Sequence, residues 1–258
     1  MKTESEKIEF WDNVASRIGY NFSRMKVKRI GIDAEDVFAE NVEKLLDKNK
    51  VVIDVGAADG RFSLSIANKT KKVIGIDLSE KMIERANVNL RKSGLTNVDF
   101  KVADAKNLPF DDETFDIVIS RRGPVTASKE LLKESYRVLK KNGVLLEITI
   151  GEKDKENIKM IFGRGQNYDS LIKNIKEAER KRKLLKEIGF KEIKIKEISC
   201  EEYYETINDL IFLLRNTPII PNFDIKKDYK KLEMIRRSLS TNNGIKTNSH
   251  RIIILAIK

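Results

Sequence analysis

The sequence predicts an α/β protein with a doubly wound, mostly parallel seven-stranded sheet, an antiparallel last strand and helical additions. Short, wholly apolar runs between residues 51 and 150 are typical of strands that are covered on both faces. Segments with helical periodicity separate these runs, and such alternation indicates right-handed βαβ units. At 258 residues, the chain is long enough to bury a sizeable core.

Seven strands are predicted. Five of them alternate with helices between residues 51 and 150, and two follow in the second part of the chain. In chain order they are residues 51–55, 72–77, 98–103, 115–120, 143–150, 191–198 and 250–257. In the sixth segment Ile193 and Ile195 alternate with lysines, as in a strand with one buried face.

Helical periodicity predicts the remaining elements. Residues 1–50 form an N-terminal helical cap of two helices, and Asp33 is the expected N-cap of the second. Ser79 and Gly94 are expected to begin and end a helix. Residues 51–258 form the main domain, with a helical insertion at 200–248. The other predicted helices are 62–68, 125–140, 169–188, 201–215 and 225–239.

Composition excludes several classes of protein. No apolar run approaches the roughly 18 residues of a membrane span, and residues 1–9 lack the apolar stretch of a signal peptide. The single cysteine, Cys200, forms no intrachain disulfide, and no Cys/His cluster predicts a metal. We expect a cytoplasmic protein that needs neither a metal nor a membrane.

The net charge of +11 is unevenly distributed. Residues 1–150 hold 27 basic and 24 acidic side chains, whereas residues 151–258 hold 24 and 16. A basic second part attracts polyanions such as RNA, although a general lysine bias of the proteome explains it equally well.

The most informative motif, at residues 54–60, ends the first predicted strand of the sheet and opens a helix. It reads Asp-Val-Gly-Ala-Ala-Asp-Gly, or D-x-G-x-x-x-G. Its glycines permit a tight turn and close approach of a ligand, but the spacing differs from the G-x-G-x-x-G of dinucleotide sites. The carboxylate before the first glycine can receive an ammonium group.

With four further motifs in matching order, residues 50–150 resemble the class I S-adenosylmethionine-dependent methyltransferases of the small-molecule and quinone type. The resemblance implies their Rossmann-like fold and their cofactor, S-adenosyl-L-methionine. It also implies a role for each matching position. The methionine part lies at Asp54, Gly56, Ala57, Ala58 and Gly60, the ribose at Asp77, the adenine at Leu78, Asp104 and Ala105, and Arg121 begins the segment under the cofactor. Ala58 replaces a common glycine, and any one of these aspartates alone could be a helix cap or turn residue.

Methyl transfer needs no catalytic triad, because the sulfonium is already an activated donor. We therefore expect a methyltransferase acting on a small molecule. An RNA or protein methyltransferase that docks through the basic second part is the alternative, and a non-catalytic protein that binds the cofactor is a third hypothesis.

Candidates for acceptor chemistry are few. Arg121 and Arg122 suit an anionic substrate or a salt bridge, and Tyr20 lies with Trp11 on a segment that closes over the cofactor or simply packs. His250 is either a general base or a structural histidine, and Cys200 is most simply a core residue. Residues 162–168 form an entrance loop or a linker.

The basic helix at 169–188 is the strongest indication that the protein binds nucleic acid. Its charged face has an apolar stripe opposite, so it is equally typical of an ordinary solvated helix. The basic residues in it are Lys173, Lys176, Arg180, Lys181, Arg182, Lys183 and Lys186.

Overall fold

The computed structural model describes residues 4–258 and the side chains of residues 8–258. Residues 1–3 of the predicted N-terminal cap lie outside the described residues. Ten α-helices lie in the described part: α1 Glu4–Ile18, α2 Ala34–Leu45, α3 Arg61–Ala67, α4 Glu80–Ser93, α5 Lys129–Val138, α6 Glu156–Phe162, α7 Tyr168–Ile172, α8 Glu177–Ile188, α9 Ile207–Asn216 and α10 Tyr229–Leu239.

One mixed sheet runs through the described residues, and it has nine strands rather than the predicted seven. The strands are β1 Val27–Ile30, β2 Val51–Val55, β3 Lys72–Asp77, β4 Val98–Val102, β5 Phe115–Arg121, β6 Leu139–Ile150, β7 Lys191–Tyr204, β8 Ser240–Thr241 and β9 Gly244–Ile257. Their order is β1-β7-β9-β6-β5-β2-β3-β4, with β8 paired to β9.

The α/β prediction is confirmed, and so is the antiparallel last strand. Strands β4, β3, β2, β5 and β6 are parallel neighbours, whereas β9 runs antiparallel to both β6 and β7. The sheet is less parallel than predicted because β1 and β8 add antiparallel pairs. Strand β1 lacks an apolar run, since its three residues after Val27 are exposed, so periodicity could not reveal it.

Three predicted helices are wrong in part. The segment at 125–140 begins with a 3₁₀ helix at Val125–Ala127 and passes into β6 at Leu139, because Leu139 pairs with Phe115 of β5. The segment at 169–188 breaks into α7 and α8, because Asn174 adopts a left-handed backbone and the Ser170 hydroxyl donates to Glu177 across the turn. The segment at 201–215 begins as strand, because residues 201–204 pair with both β1 and β9. Helix α9 then starts at a capping box between Thr206 and Asp209.

Predicted helix boundaries hold where a local cap sets them. The Asp33 side chain accepts from the Glu35 N–H, and the Ser79 side chain accepts from the Met82 N–H. Gly94 ends α4 in the left-handed conformation. These side chains satisfy backbone groups that a helix end leaves unpaired.

Apolar side chains pack on both faces of the sheet. Phe38 of α2 and Ala86 of α4 are buried on one face, and Leu132 of α5 and Leu185 of α8 are buried on the other. A third group of apolar side chains, from α6, α9 and α10, packs against Tyr204 at the end of β7. We call this group the C-terminal helical cluster. No helix in the described part of the chain is long and apolar enough to cross a membrane.

A group of buried charges joins the sheet to the segment after β6. We call Asp154, Lys155, Glu202 and Arg251, with the partly exposed Arg29 at their edge, the buried ion cluster. Lys155 forms an ion pair with Glu202, whose other carboxylate oxygen lies 3.0 Å from Arg29 Nε. Arg251 pairs with Asp154, which lies 3.7 Å from Lys155. Glu202 is thereby tied to β1 and to the segment after β6. The helical insertion predicted at 200–248 is shorter than expected, because β7 continues to Tyr204 and β9 begins at Gly244.

Candidate functional site

The loop after β2 follows the carboxyl end of a central parallel strand, where open α/β sheets bind ligands. Gly56 and Ala57 both donate their N–H groups to Ile76 O at 2.9 Å, which ties the loop to β3. Gly60 has φ +76°, and a Cβ there would lie 2.4 Å from the Phe100 ring. The second glycine of the motif is therefore required both by backbone conformation and by space.

Asp54 is buried directly before this loop, with 2% of its surface exposed. The Ser63 hydroxyl donates to Asp54 Oδ2 at 2.6 Å, and within the described residues Oδ1 receives no hydrogen bond. Burial raises the pKa of Asp54 to about 6, against the opposing effects of Ser63 and Arg121. A buried carboxylate with one free oxygen is suited to receive a cationic ligand group.

Asp77 ends the neighbouring strand β3 and lies beside the same loop. Its Oδ2 accepts from Ala58 N–H at 2.9 Å and its Oδ1 accepts from Ser79 N–H at 3.0 Å. Burial raises the pKa of Asp77, although these backbone donors oppose the rise. Each carboxylate oxygen has a second lone pair, so the pair can still accept two hydroxyl groups. Leu78 is half-buried next to it.

Asp104 and Ala105 follow β4 at the same edge of the sheet. Strand β4 pairs with β3 so that Val102 lies opposite Asp77. Both residues are half-buried, and Asp104 accepts from Lys106 N–H at 2.9 Å in a local turn. The topology therefore brings the predicted ribose and adenine positions to neighbouring strand ends.

A cavity of about 510 Å³ opens beside the loop, and we call it the inner cavity. Its volume lies in the range of small-molecule sites. The predicted site residues in its wall are Asp54, Gly56, Ala57, Ala58, Tyr20, Arg121 and Arg122. The other predicted positions, Asp77, Leu78, Asp104, Ala105 and Gly60, do not line this cavity.

The two arginines at the end of β5 share one carboxylate on α2. Arg121 Nε lies 2.8 Å from Glu35, and Arg122 Nε lies 3.2 Å from its other oxygen. Burial alone would raise the pKa of Glu35, but Arg122 and Arg121 outweigh it and the pKa is lowered. Sequence reasoning missed Glu35, because an acid in the first turn of a helix reads as a partner of the helix dipole.

Helix α1 and the turn after it cover the other side of the loop. Trp11 and Tyr20 make an edge contact with ring centres 5.9 Å apart, in one apolar group with Ala58 and Met82. The hydroxyl of Ser79 donates to Asp12 on α1. No sequence motif marks Asp12.

The other candidates have structural partners away from the inner cavity. His250 is buried, its Nδ1 accepts from Lys153 N–H at 3.2 Å, and its Nε2 lies 3.1 Å from Glu197. Glu152 joins them in a group whose ligand atoms lie within 4.8 Å of one another, but both ring nitrogens are already engaged. Burial raises the pKa of the Cys200 thiol.

The loop at 162–168 and helix α8 are held by the fold. Gln166 N–H donates to Ile219 O, and Arg164 pairs with Asp228 at 2.9 Å. On α8, Lys181 is buried and donates to Thr126 Oγ1 at 2.9 Å, while Arg180 pairs with Glu177. Part of the basic face of α8 is therefore structural, whereas Lys173, Lys183 and Lys186 are exposed.

Comparisons with known proteins agree with this geometry. A family model described as a methyltransferase domain matches residues 46–161. A ubiquinone biosynthesis O-methyltransferase of Pelagibacter ubique is 30% identical over 171 residues, covering 63% of this chain and 70% of that relative. YcgJ of Bacillus subtilis, described as an uncharacterized methyltransferase, is 34% identical over 97 residues, covering 37% of this chain. The chain spans only 38% of the YcgJ sequence in that alignment.

The solved structures show the same architecture. The crystal structure of YcgJ from Bacillus subtilis matches 87% of this chain and 98% of its own with a TM-score of 0.67. Sequence identity in that comparison is 19%, so the likeness establishes the fold.

Proposed function

The chain belongs to the class I S-adenosylmethionine-dependent methyltransferases, and from this premise we propose that it transfers a methyl group to a small-molecule acceptor bound in the inner cavity. The observation that carries the proposal is one cavity of about 510 Å³ whose wall joins the Asp54 loop to the arginines at the end of β5. A donor and an acceptor can meet there.

The cofactor, S-adenosylmethionine, fits the residues present. We propose that Asp54 receives its ammonium group, since the free Oδ1 of a buried carboxylate lies at the loop. The loop of Gly56, Ala57, Ala58 and Gly60 would hold the methionine part. Asp77 would accept from the ribose hydroxyls, which form charge-assisted and therefore strong hydrogen bonds. Leu78, Asp104 and Ala105 would contact the adenine.

When bound, the cofactor supplies an activated sulfonium methyl group. The remaining contribution of the chain is to position the acceptor in line with the methyl group and to exclude water. Residues 1–50 and 200–248 are proposed to close over the bound molecules. The contacts of α1 with Ala58 and Ser79 support this role for the first segment.

The acceptor is proposed to carry an anionic group or an ionisable hydroxyl. Arg121 and Arg122 present two guanidinium groups to the inner cavity against a single carboxylate, Glu35. An anionic oxygen can bind there by sharing or replacing Glu35 as the partner. Tyr20 lies in the same wall, whereas His250 does not.

A cytoplasmic location is part of the proposal. One cysteine in 258 residues supports it, because proteins of oxidising compartments often use disulfides.

The test is transfer from methyl-labelled S-adenosylmethionine to an extract of the source cells, separated afterwards into RNA, protein and small molecules. We expect label in the small-molecule fraction, which mass spectrometry can then identify. A parallel reaction with Asp77→Ala gives the background. Label in RNA or protein would contradict the small-molecule proposal and favour docking through the basic second part. Cofactor binding without any transfer would favour a non-catalytic role.

Once the acceptor is known, Arg122→Gln tests its proposed subsite. We expect KM for the acceptor to rise about tenfold or more, as for a lost charge-assisted contact, while the Kd for the cofactor stays unchanged. The matched control is Arg61→Gln, because Arg61 lines the same cavity but pairs with Asp59 at 2.9 Å. An equal effect of the two substitutions would contradict a specific role for Arg122.

A further inference from the structure

A second cavity of about 530 Å³ lies between α1, the end of α9 and the segment at 218–226, and we call it the outer cavity. It shares no lining residue with the inner cavity. Helix α1 turns Phe10, Asn13 and Arg17 toward the outer cavity, while Trp11 and Val14 pack toward Met82.

The charged part of the outer cavity is cationic. Arg17, Arg215 and Lys226 lie in its wall, and Asp224 is the one carboxylate among its described lining residues. Asp224 accepts from Lys226 N–H and Lys227 N–H, both at 2.9 Å, so backbone groups already engage it. Within the described residues, neither arginine forms an ion pair.

Arg17 and Arg215 lie next to each other, since Arg17 Nη2 donates to the backbone carbonyl of Arg215 at 3.1 Å. Burial and the neighbouring Arg215 both lower the pKa of Arg17. The buried Asn216 holds Arg17 in place, since its Oδ1 accepts from Arg17 Nε at 3.3 Å and its Nδ2 donates to Phe212 O. Two like charges held together without an acid create a site that favours an anion.

The end of α9 accounts for part of this arrangement. Arg17 Nη2 donates to Arg215 O at 3.1 Å, and a cation is favourable beside the carbonyl groups at a helix C-terminus. Among the described residues, this contact and the one with Asn216 leave further N–H donors of Arg17, and the side-chain donors of Arg215, for another partner. The contact with the helix end does not explain why a cavity lies beside these arginines.

The remaining wall is largely apolar. Phe10 and Phe223 stand on opposite elements, and Leu214, Pro218 and Ile220 lie between them. Leu214 and Ile220 are each 1% exposed, so this part of the wall is anchored in the C-terminal helical cluster. A ligand must therefore combine an apolar body with an anionic group.

We propose that the outer cavity is a second binding site, for a small organic anion whose aromatic or aliphatic body lies between Phe10 and Phe223 and whose carboxylate or phosphate binds Arg17 and Arg215. The inference does not depend on the proposed function, because the site is separate from the inner cavity. It assigns a role to the insertion between β7 and β9.

The probe for the charge is 1-naphthyl phosphate, with uncharged 1-naphthol beside it, titrated into the full-length protein by calorimetry. We expect one saturable site for the phosphate. The Arg17→Gln and Arg215→Gln double variant should weaken the phosphate about tenfold or more and leave the naphthol unchanged. The control is Lys230→Gln with Arg237→Gln, which removes two exposed cations of α10 that do not line the cavity.

A second pair of variants tests the cavity without changing its charge. Asn13→Trp places a large side chain in the outer cavity, whereas Ser16→Trp places the same side chain on α1 outside it. Both positions are exposed, so both variants are expected to fold. Asn13→Trp should abolish binding of 1-naphthyl phosphate, and Ser16→Trp should not.

S-adenosylhomocysteine distinguishes the two cavities. Saturating amounts of it should leave the binding of 1-naphthyl phosphate intact. Displacement of the probe would overturn the proposal, because the probe would then occupy the inner cavity. Unsaturable binding, or equal weakening by the control variants, would overturn it as well.

Discussion

Asp54 and Glu202 are both buried acids, but the protein surrounds them in opposite ways. Glu202 contacts Lys155 and Arg29, and although burial opposes ionisation, these cations lower its pKa to about 2. Asp54 has the Ser63 hydroxyl as its hydrogen-bond donor, and burial raises its pKa to about 6. The protein neutralises the first carboxylate itself and leaves the second available to a ligand.

This difference distinguishes a structural acid from the proposed binding acid within one sheet. Glu202 lies in the buried ion cluster, where removal of one charge strands another. Asp54 lies at the strand end beside the inner cavity, where the missing cation can come from the cofactor. Burial alone does not distinguish the two roles, because Asp54 is 2% exposed and Glu202 is 1% exposed.

The largest effect is expected at Glu202. Glu202→Gln leaves Lys155 buried without its carboxylate and should lower the free energy of unfolding by about 3–5 kcal/mol. Urea denaturation at neutral pH measures the change. The control is Glu205→Gln, which breaks an ion pair with Lys26 in which both side chains are more than half exposed, and no measurable change is expected. Similar values for the two would show that the buried ion cluster is not structural.

Gly60 gives the next largest effect, and it tests the loop rather than its acid. Gly60→Ala must tolerate φ +76° and a Cβ that would lie 2.4 Å from Phe100, so we expect a loss of about 2–4 kcal/mol in the free energy of unfolding. Gly94→Ala is the matched control, because Gly94 has φ +68° with nothing within 4 Å of its added Cβ. It should cost only about 1–2 kcal/mol. Equal losses would mean that space around Gly60 contributes nothing.

Asp77→Ala should weaken the binding of S-adenosylhomocysteine by about 1–3 kcal/mol, because two ribose hydroxyls lose their acceptor. Calorimetry measures the affinity, and circular dichroism checks that the variant is folded. Asp99→Ala, on the exposed edge strand β4, is the control and should leave the affinity unchanged. An unchanged affinity in Asp77→Ala would contradict the assignment of the ribose.

These variants also show which parts of the molecule could be predicted from sequence. Asp54, Gly56, Gly60 and Asp77 were predicted as site residues from local motifs and a family resemblance, and the structure places all four at or beside the loop after β2. The caps at Asp33 and Ser79 were found because helix ends impose local residue types. Constraints of this kind act between neighbouring residues, so the sequence of one short segment is enough to predict them.

Contacts between residues that are far apart in the sequence could not be predicted. Glu35 and Arg121 are 86 positions apart, and Lys155 and Glu202 are 47 positions apart. Strand β1 depends on its pairing with the end of β7, so its own four residues carry no strand pattern. The cavities and the buried ion cluster arise from such distant contacts, which neither spacing nor periodicity reveals.

The pH dependence of cofactor binding tests the comparison directly. The raised pKa of Asp54 means that the carboxyl is protonated below about pH 6 in the free protein, so it loses its attraction for an ammonium group. We expect the affinity for S-adenosylhomocysteine to fall up to about tenfold per pH unit below that value. Asp54→Asn should bind weakly and with a flat profile in this range. If the affinity of Asp54→Asn for S-adenosylhomocysteine fell with decreasing pH as steeply as that of the wild type, a titrating group other than Asp54 would be responsible.

The raised pKa of Asp54 also determines how the free energy of unfolding changes with pH. Because the pKa of Asp54 is higher in the folded than in the unfolded chain, its contribution to stability is present below about pH 4 and is lost as the pH rises through about 6. Glu202 has the opposite sign, since its folded pKa of about 2 gives a contribution that is lost as the pH falls below about 4.5. Asp54→Asn should therefore be no less stable than the wild type at pH 7, in contrast to Glu202→Gln.

The smallest effect is expected from the exposed lysines of α8. Lys183 and Lys186 are exposed and no described residue forms an ion pair with them, whereas Lys181 is buried against Thr126 on the same helix. Lys183→Gln with Lys186→Gln should leave methyl transfer, its salt dependence and the unfolding midpoint unchanged, because a small acceptor needs no basic docking face. Lys181→Gln should lower the unfolding midpoint, since it disturbs a buried donor. A collapse of transfer in the exposed pair, with a steep dependence on salt, would instead identify α8 as a docking surface for a polyanion.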